Sequence, residues 1–176
     1  MRTSAPWQVL ITLLLLYVVI YVVLTAAAMI CIWFEWPYIS AALLLVSFSV
    51  LAMLGPIGLS WTSSAYKWLI PLHLSHQLLA VLIYAGHYRS FGLSKATGIQ
   101  SHSYVDAVYF SLSTWSTLGT NDFAAAADIR FLPPLEALTC ILFLPVFAAV
   151  FWRMLEDMTP PTNEAYLDKQ RNKRGT

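Results

Sequence analysis

Three long stretches without a charged side chain constrain this sequence more than any other feature. Residues 3–34 and 36–66 contain no acidic or basic group, and in 68–88 the only such groups are His73, His76 and His87. Roughly 20 apolar residues suffice to carry a helix across about 30 Å of hydrocarbon. Each stretch exceeds that. Backbone removed from water must satisfy its own amides, which leaves helices as the natural spanning element. Composition agrees, with 59% hydrophobic and 11% charged residues, far from soluble averages. Ala26, Ala27 and Ala28 offer the small residues of a leader cleavage site, but the apolar run continues through Ile32 and is too long for a leader. The expectation is an all-α integral membrane protein.

Four spans are predicted, over residues 7–32, 39–59, 68–88 and 133–154. Trp33, Trp36 and Tyr38 cluster where an aromatic interface belt would lie. Pro37 separates the first two spans, and Gly55-Pro56 predicts a kink or an early end to the second. Polar residues 60–64 form a short loop, and 89–103, polar and Gly-containing, reads as an exposed one. Cys31 and Cys140 fall inside spans, where they act as small apolar residues. Arg2, Lys67, Arg153, Lys169, Arg171, Lys173 and Arg174 would lie on one side of the membrane, and only Arg89, Lys95 and Arg130 on the other. The positive-inside rule then puts both termini in the cytoplasm. The basic tail is a topology signal, with contact to anionic lipid as the alternative.

Between the third and fourth spans, residues 104–116 form a helix of about 13 residues, roughly 20 Å, too short to cross. Asp106 in its first turn suits the positive end of the helix dipole. Thr117-Leu118-Gly119-Thr120-Asn121-Asp122 follows. A short helix that enters, turns at Gly119 and leaves is a re-entrant loop, tolerated only where protein buries it or water lines it. Peptide carbonyls in such a turn can replace the hydration shell of a cation without side-chain charge.

The order of span, outer loop, short helix, Thr-x-Gly turn and span resembles the pore domain of the potassium-channel superfamily. The stretch from Asp106 to Gly119 is similar to that family's pore helix and filter entry, and Leu135-Glu136-Ala-Leu-Thr to the inner-helix start of small bacterial members. The resemblance implies two plain N-terminal helices in 1–66, without the arginines of a voltage sensor. It also implies a pore domain in 67–157 and a short cytoplasmic basic tail in 158–176. It implies a homotetramer with four filter loops around one axis, potassium or sodium held at Thr117, Leu118 and Gly119, and outer sites from Thr120 and Asn121. The family pattern Thr-Val-Gly-Tyr-Gly-Asp is broken here, with Thr120 in place of the bracing tyrosine and Asn121 in place of the second glycine. Asparagine tolerates positive φ, so the turn is expected to survive there. The ring brace is lost, as in cyclic-nucleotide-gated relatives, and selectivity is expected to relax towards sodium.

Asp122 is expected at the outer mouth, or hydrogen-bonded behind the filter to Tyr109 and Ser113. Pro145 marks a hinge or a static bend in the last span. Phe147 and Phe151, with Trp152, form a hydrophobic gate or simply packing. Glu136 shapes the funnel or pairs with Arg130, and Glu156 and Asp157 ring the cytoplasmic exit or cap a solvated helix end. His73 and His76 hydrogen-bond between helices; His87 and His102 are pH sensors or interface residues.

Two other readings compete with the channel. One is a non-conducting scaffold or accessory subunit of the same architecture. The other is a haem-dependent electron-transfer protein, suggested by His76 and His87 eleven residues apart, although no other span supplies a second histidine. No enzyme motif is present, and no cofactor, nucleic acid or soluble substrate is expected beyond permeant cations, lipid and further copies of the chain.

Overall fold

The computed structural model describes residues 5–61 and 66–158. Arg2, most of the polar loop after the second helix and the basic tail beyond Met158 lie outside the described residues. Five α-helices carry the fold: α1 (Ala5–Trp33), α2 (Pro37–Trp61), α3 (Tyr66–Phe91), α4 (Tyr104–Trp115) and α5 (Leu132–Met158). Among the described residues one helical run, Ala127–Glu156, is long and apolar enough to cross a membrane, with shorter apolar stretches at Val18–Trp33 and Pro37–Val50.

α1 and α2 form a hairpin. The chain reverses at Glu35, whose φ of 53° is left-handed, and the amide of Trp36 closes the turn on the carbonyl of Cys31 at 2.9 Å. Pro37 then opens α2, a position where its missing N–H and fixed φ cost nothing. α2 continues through Gly55-Pro56 instead of ending there. The hairpin interface is built from Ala28, Ala41 and Leu44, all buried, and Ser40 donates to the carbonyl of Ala28 at 3.1 Å. Small residues let the two backbones approach closely. On the other side of α1, Leu16, Val19, Val22 and Val23 are exposed, an apolar surface that needs lipid or protein against it.

α3 is the central element and packs on each of the other four helices. Around its C-terminal end Tyr84, Tyr88, Leu93, Ala107, Phe110, Ile129 and Leu132 form the main core, with Tyr88 edge-on to Phe110 at 4.8 Å.

The stretch 89–103 is more ordered than an exposed loop. It holds β1 (Leu93–Lys95) and β2 (Gln100–Ser101), which join β3 (Phe123–Ala125) in an antiparallel sheet of order β2-β1-β3. Leu93 pairs with Ser101 on one side and Ala125 on the other, and its side chain is fully buried. Its single apolar position is decided by tertiary packing, which no strand-length pattern announces. β1 precedes α4 and β3 follows the Thr-x-Gly turn, so the sheet stitches together the two ends of the segment that holds α4 and the turn. Gly92 starts it at φ 84°, where an added Cβ would lie 2.8 Å from the His102 ring. His102 is itself held by the carbonyl of Arg89 at 2.8 Å.

Candidate functional site: the re-entrant loop

α4 is 12 residues long, roughly 18 Å, and enters from the sheet end. Asp106 in its first turn accepts a hydrogen bond from Ser101 Oγ at 2.5 Å and pairs with Lys95 Nζ at 3.2 Å. The Ser101 hydroxyl, with Lys95 beside it, holds the Asp106 carboxyl below its usual range. Lys95 also lies over the Phe123 ring at 5.6 Å. The carboxylate thus serves the helix dipole and anchors α4 to β1 and β2.

The other end of α4 becomes the turn. Thr117 has φ 58° and Gly119 φ 67°. The Thr117 amide donates to Thr114 O at 3.0 Å and the Gly119 amide reaches back to Ser113 O at 3.0 Å. A left-handed residue just past the helix, with amides returning to the last carbonyls, is how helices commonly stop, and glycine usually occupies it. Here the residue is a β-branched threonine, which costs on the order of 1–3 kcal/mol. Left-handed residues two apart also break the alternation by which carbonyls of an extended chain point to opposite sides. Asn121 does not take positive φ; among the described non-glycine residues only Glu35 and Thr117 do. The expected left-handed turn at Asn121 is therefore moved to Thr117 and Gly119. Thr120 Oγ1 accepts the amide of Asp122 at 3.1 Å, closing the next turn locally.

Leu118 is 85% exposed, and Thr117, Gly119, Asn121 and Asp122 are exposed with it. No atom lies within 4 Å of a Cβ built on Gly119. A shallow groove of about 390 Å³ runs between this turn and the start of α5, lined by Phe110, Thr114, Thr117, Gly119, Thr120, Pro133, Pro134 and Ala137. The loop backbone is open to whatever stands beside it.

Asp122 does not bond to Tyr109 or Ser113. Ser113 Oγ donates to the Tyr109 carbonyl at 2.8 Å, the Tyr109 ring sits edge-on to Phe123 at 6.1 Å, and the Asp122 carbonyl accepts the Ala96 amide at 3.1 Å. Glu136 does not pair with Arg130, whose guanidinium lies over the Phe131 ring at 4.9 Å. Glu136 is instead wholly buried, accepting from Tyr88 Oη at 2.8 Å and in contact with Ser111 Oγ. Pro145 lies inside α5 without ending it. Phe143, Phe147 and Phe151 stack down α5 at 5.3 and 6.0 Å, with Trp115 at the upper end, 6.3 Å from Phe143. Trp152 Nε1 donates to Glu156 Oε1 at 2.8 Å.

Two residues given no role in the sequence expectations, Gln77 and Trp115, fix the base of the turn. Trp115 Nε1 donates to Gln77 Oε1 at 3.0 Å. One residue before Gln77, His76 meets Ser47 Oγ of α2 at 2.7 Å, the interhelical role expected of it. α3 therefore joins the hairpin on one face to the last residue of α4 on another. Gln77 was discoverable as the single amide in an apolar helix, since a buried polar side chain in a span rarely lacks a partner.

A short helix runs into a capped, left-handed, exposed backbone turn between two long helices. Residues 77–157 match the family model described as ion channel. The match supports a pore domain of the potassium-channel type in that part of the chain, and the matched family is one of membrane channels. No curated protein and no solved structure matches the chain.

Proposed function

We propose that this protein is a homotetrameric cation channel, permeable to potassium with selectivity relaxed towards sodium. Four copies of the 117–122 turn surround one axis, and the Thr117 hydroxyl and the carbonyls of Thr117, Leu118 and Gly119 replace the water around the ion. The observation that carries this reading is the left-handed pair at Thr117 and Gly119, with Leu118 exposed between them, at the end of the re-entrant helix. One loop supplies one wall, and a closed ring is the simplest symmetric completion. Each chain crosses four times through α1, α2, α3 and α5, with both termini cytoplasmic and the sheet outside. Residues 67–157 form the pore, 1–66 a plain helical pair, and the basic tail stays on the cytoplasmic side.

Relaxed selectivity follows from the site itself. Thr120 turns its hydroxyl onto the next amide, so no ring braces the turn from behind, and Asn121 lacks the left-handed backbone that would continue the row of carbonyls. Thr117, Leu118 and Gly119 are left as the stiffer part. Reconstitution in liposomes with separate potassium and sodium gradients tests the reading. Flux of both ions is expected, with potassium faster; a protein that passes neither is a scaffold. Thr117→Ala is expected to reduce or alter the flux, and unchanged flux would move the filter elsewhere.

A further inference from the structure

Glu136 stands one turn into the inner helix, wholly buried, with no basic side chain among the described residues within ion-pair distance. A carboxylate without a counter-charge in such a place is costly. Its oxygens make two contacts, with Tyr88 Oη of α3 and Ser111 Oγ of α4. Ser111 Oγ makes a third, to the Val81 carbonyl of α3 at 2.9 Å. Three separate hydrogen bonds across these contacts take three hydrogens, the alternative being one Ser111 hydrogen shared weakly between two acceptors. Tyr88 and Ser111 supply one each, and the Val81 carbonyl has none. The missing hydrogen can come only from Glu136.

We propose that Glu136 is held as the neutral carboxylic acid and that its proton closes a clamp between the inner, pore and outer helices. The acid O–H donates to Ser111, Ser111 donates to the Val81 carbonyl, and Tyr88 donates to the remaining acid oxygen. A buried acid kept neutral so that it can donate is a known device of polar sites. When the proton leaves, two hydrogens must serve three contacts. The ionised group takes the Ser111 hydrogen, and Ser111 and the Val81 carbonyl then face each other without one. Ser111 lies six residues before Thr117 on α4, so releasing it from α3 frees the helix whose end forms the turn. Glu136 is thus a positioning residue for the turn, engaged while it carries its proton and disengaged when it is ionised. The titratable groups facing it are Tyr84 and Tyr88, both from α3; α4 contributes only Ser111. The consequence for permeation rests on the channel reading above, whereas the protonation does not.

Glu136→Gln is the decisive variant, because its amide nitrogen donates to Ser111 and its oxygen accepts from Tyr88, reproducing all three contacts without a dissociable proton. In nanodiscs at neutral pH, the infrared difference spectrum of wild type minus E136Q is expected to contain the carbonyl stretch of one protonated carboxylic acid, vanishing as pH is raised. E136Q is expected to fold with wild-type thermal stability. In liposomes the wild-type potassium-to-sodium flux ratio is expected to fall roughly fivefold in alkali, the weight of one net hydrogen bond, while that of E136Q stays flat. Absence of the acid band at neutral pH overturns the proposal, and so does an E136Q protein that fails to fold. If the band titrates but the flux ratio does not follow, the positioning role is wrong. A wild-type protein that passes no cation leaves the protonation standing and removes the channel reading.

Discussion

The α1–α2 hairpin and the α3–α5 pore segment are held together by different physics. Between α1 and α2 the contacts are mainly apolar and the polar groups bond within the pair, while Ser47 and Tyr38 reach out to His76 and to the Asp128 carbonyl. Thr25 donates to its own helix at Tyr21 O, 2.8 Å away, and Ser40 to one carbonyl across the interface. In the pore segment Gln77, Ser111 and Glu136 are buried and bonded between elements. Apolar packing in a membrane accepts many sequences and neighbouring registers, because lipid competes for the same surfaces. A buried polar network accepts very few, because each mismatch strands a donor or acceptor. The hairpin is built to fit; the pore segment is built to hold one arrangement.

Large-to-small changes should separate the two regions most sharply. Phe110→Ala removes the ring packed on Tyr88 and is expected to lower stability by about 3–5 kcal/mol, seen as a fall in detergent thermal unfolding with a changed potassium-to-sodium flux ratio. Leu44→Ala in the hairpin is expected to lower stability by about 2–5 kcal/mol and leave the ratio intact. A changed ratio in the hairpin variant would break the distinction.

Two smaller changes probe the turn itself, the first being Thr117→Gly. It relieves the left-handed threonine and is expected to raise stability by about 1 kcal/mol while lowering selectivity, because the hydroxyl is lost. Gain in one measurement and loss in the other would mark Thr117 as strained for its task. Gln77→Leu strands the Trp115 indole N–H and is expected to cost about 1–3 kcal/mol, read in the same unfolding assay. Asp106 gives the smallest effect. Its carboxyl is held low by Ser101 and Lys95, so its anchoring is present at neutral pH and lost as pH falls through that lowered range. Asp106→Asn should flatten the acid limb of the unfolding curve.

Much of the helical framework was legible in the sequence. The uncharged runs marked α1 and α2, Pro37 marked the break between them, and residues 104–116 stood out as a helix too short to span. The polar contacts were less legible. Glu136 was visible as a carboxylate inside an apolar run, but Arg130 was the nearest partner in sequence and Tyr88 the one in space. Asn121 invited the left-handed turn by its identity, yet α4 ends six residues earlier and its unsatisfied carbonyls claim that geometry for Thr117.

What the sequence determined alone was where the chain avoids water: hydropathy is additive along a segment, and uncharged runs report it without knowing their neighbours. What only the tertiary structure decided was pairing. The β1–β3 join, the Gln77–Trp115 bond and the two oxygens against Ser111 each unite residues 25 or more positions apart. A hydrogen bond depends on direction and distance together, and neither is written in the order of residues.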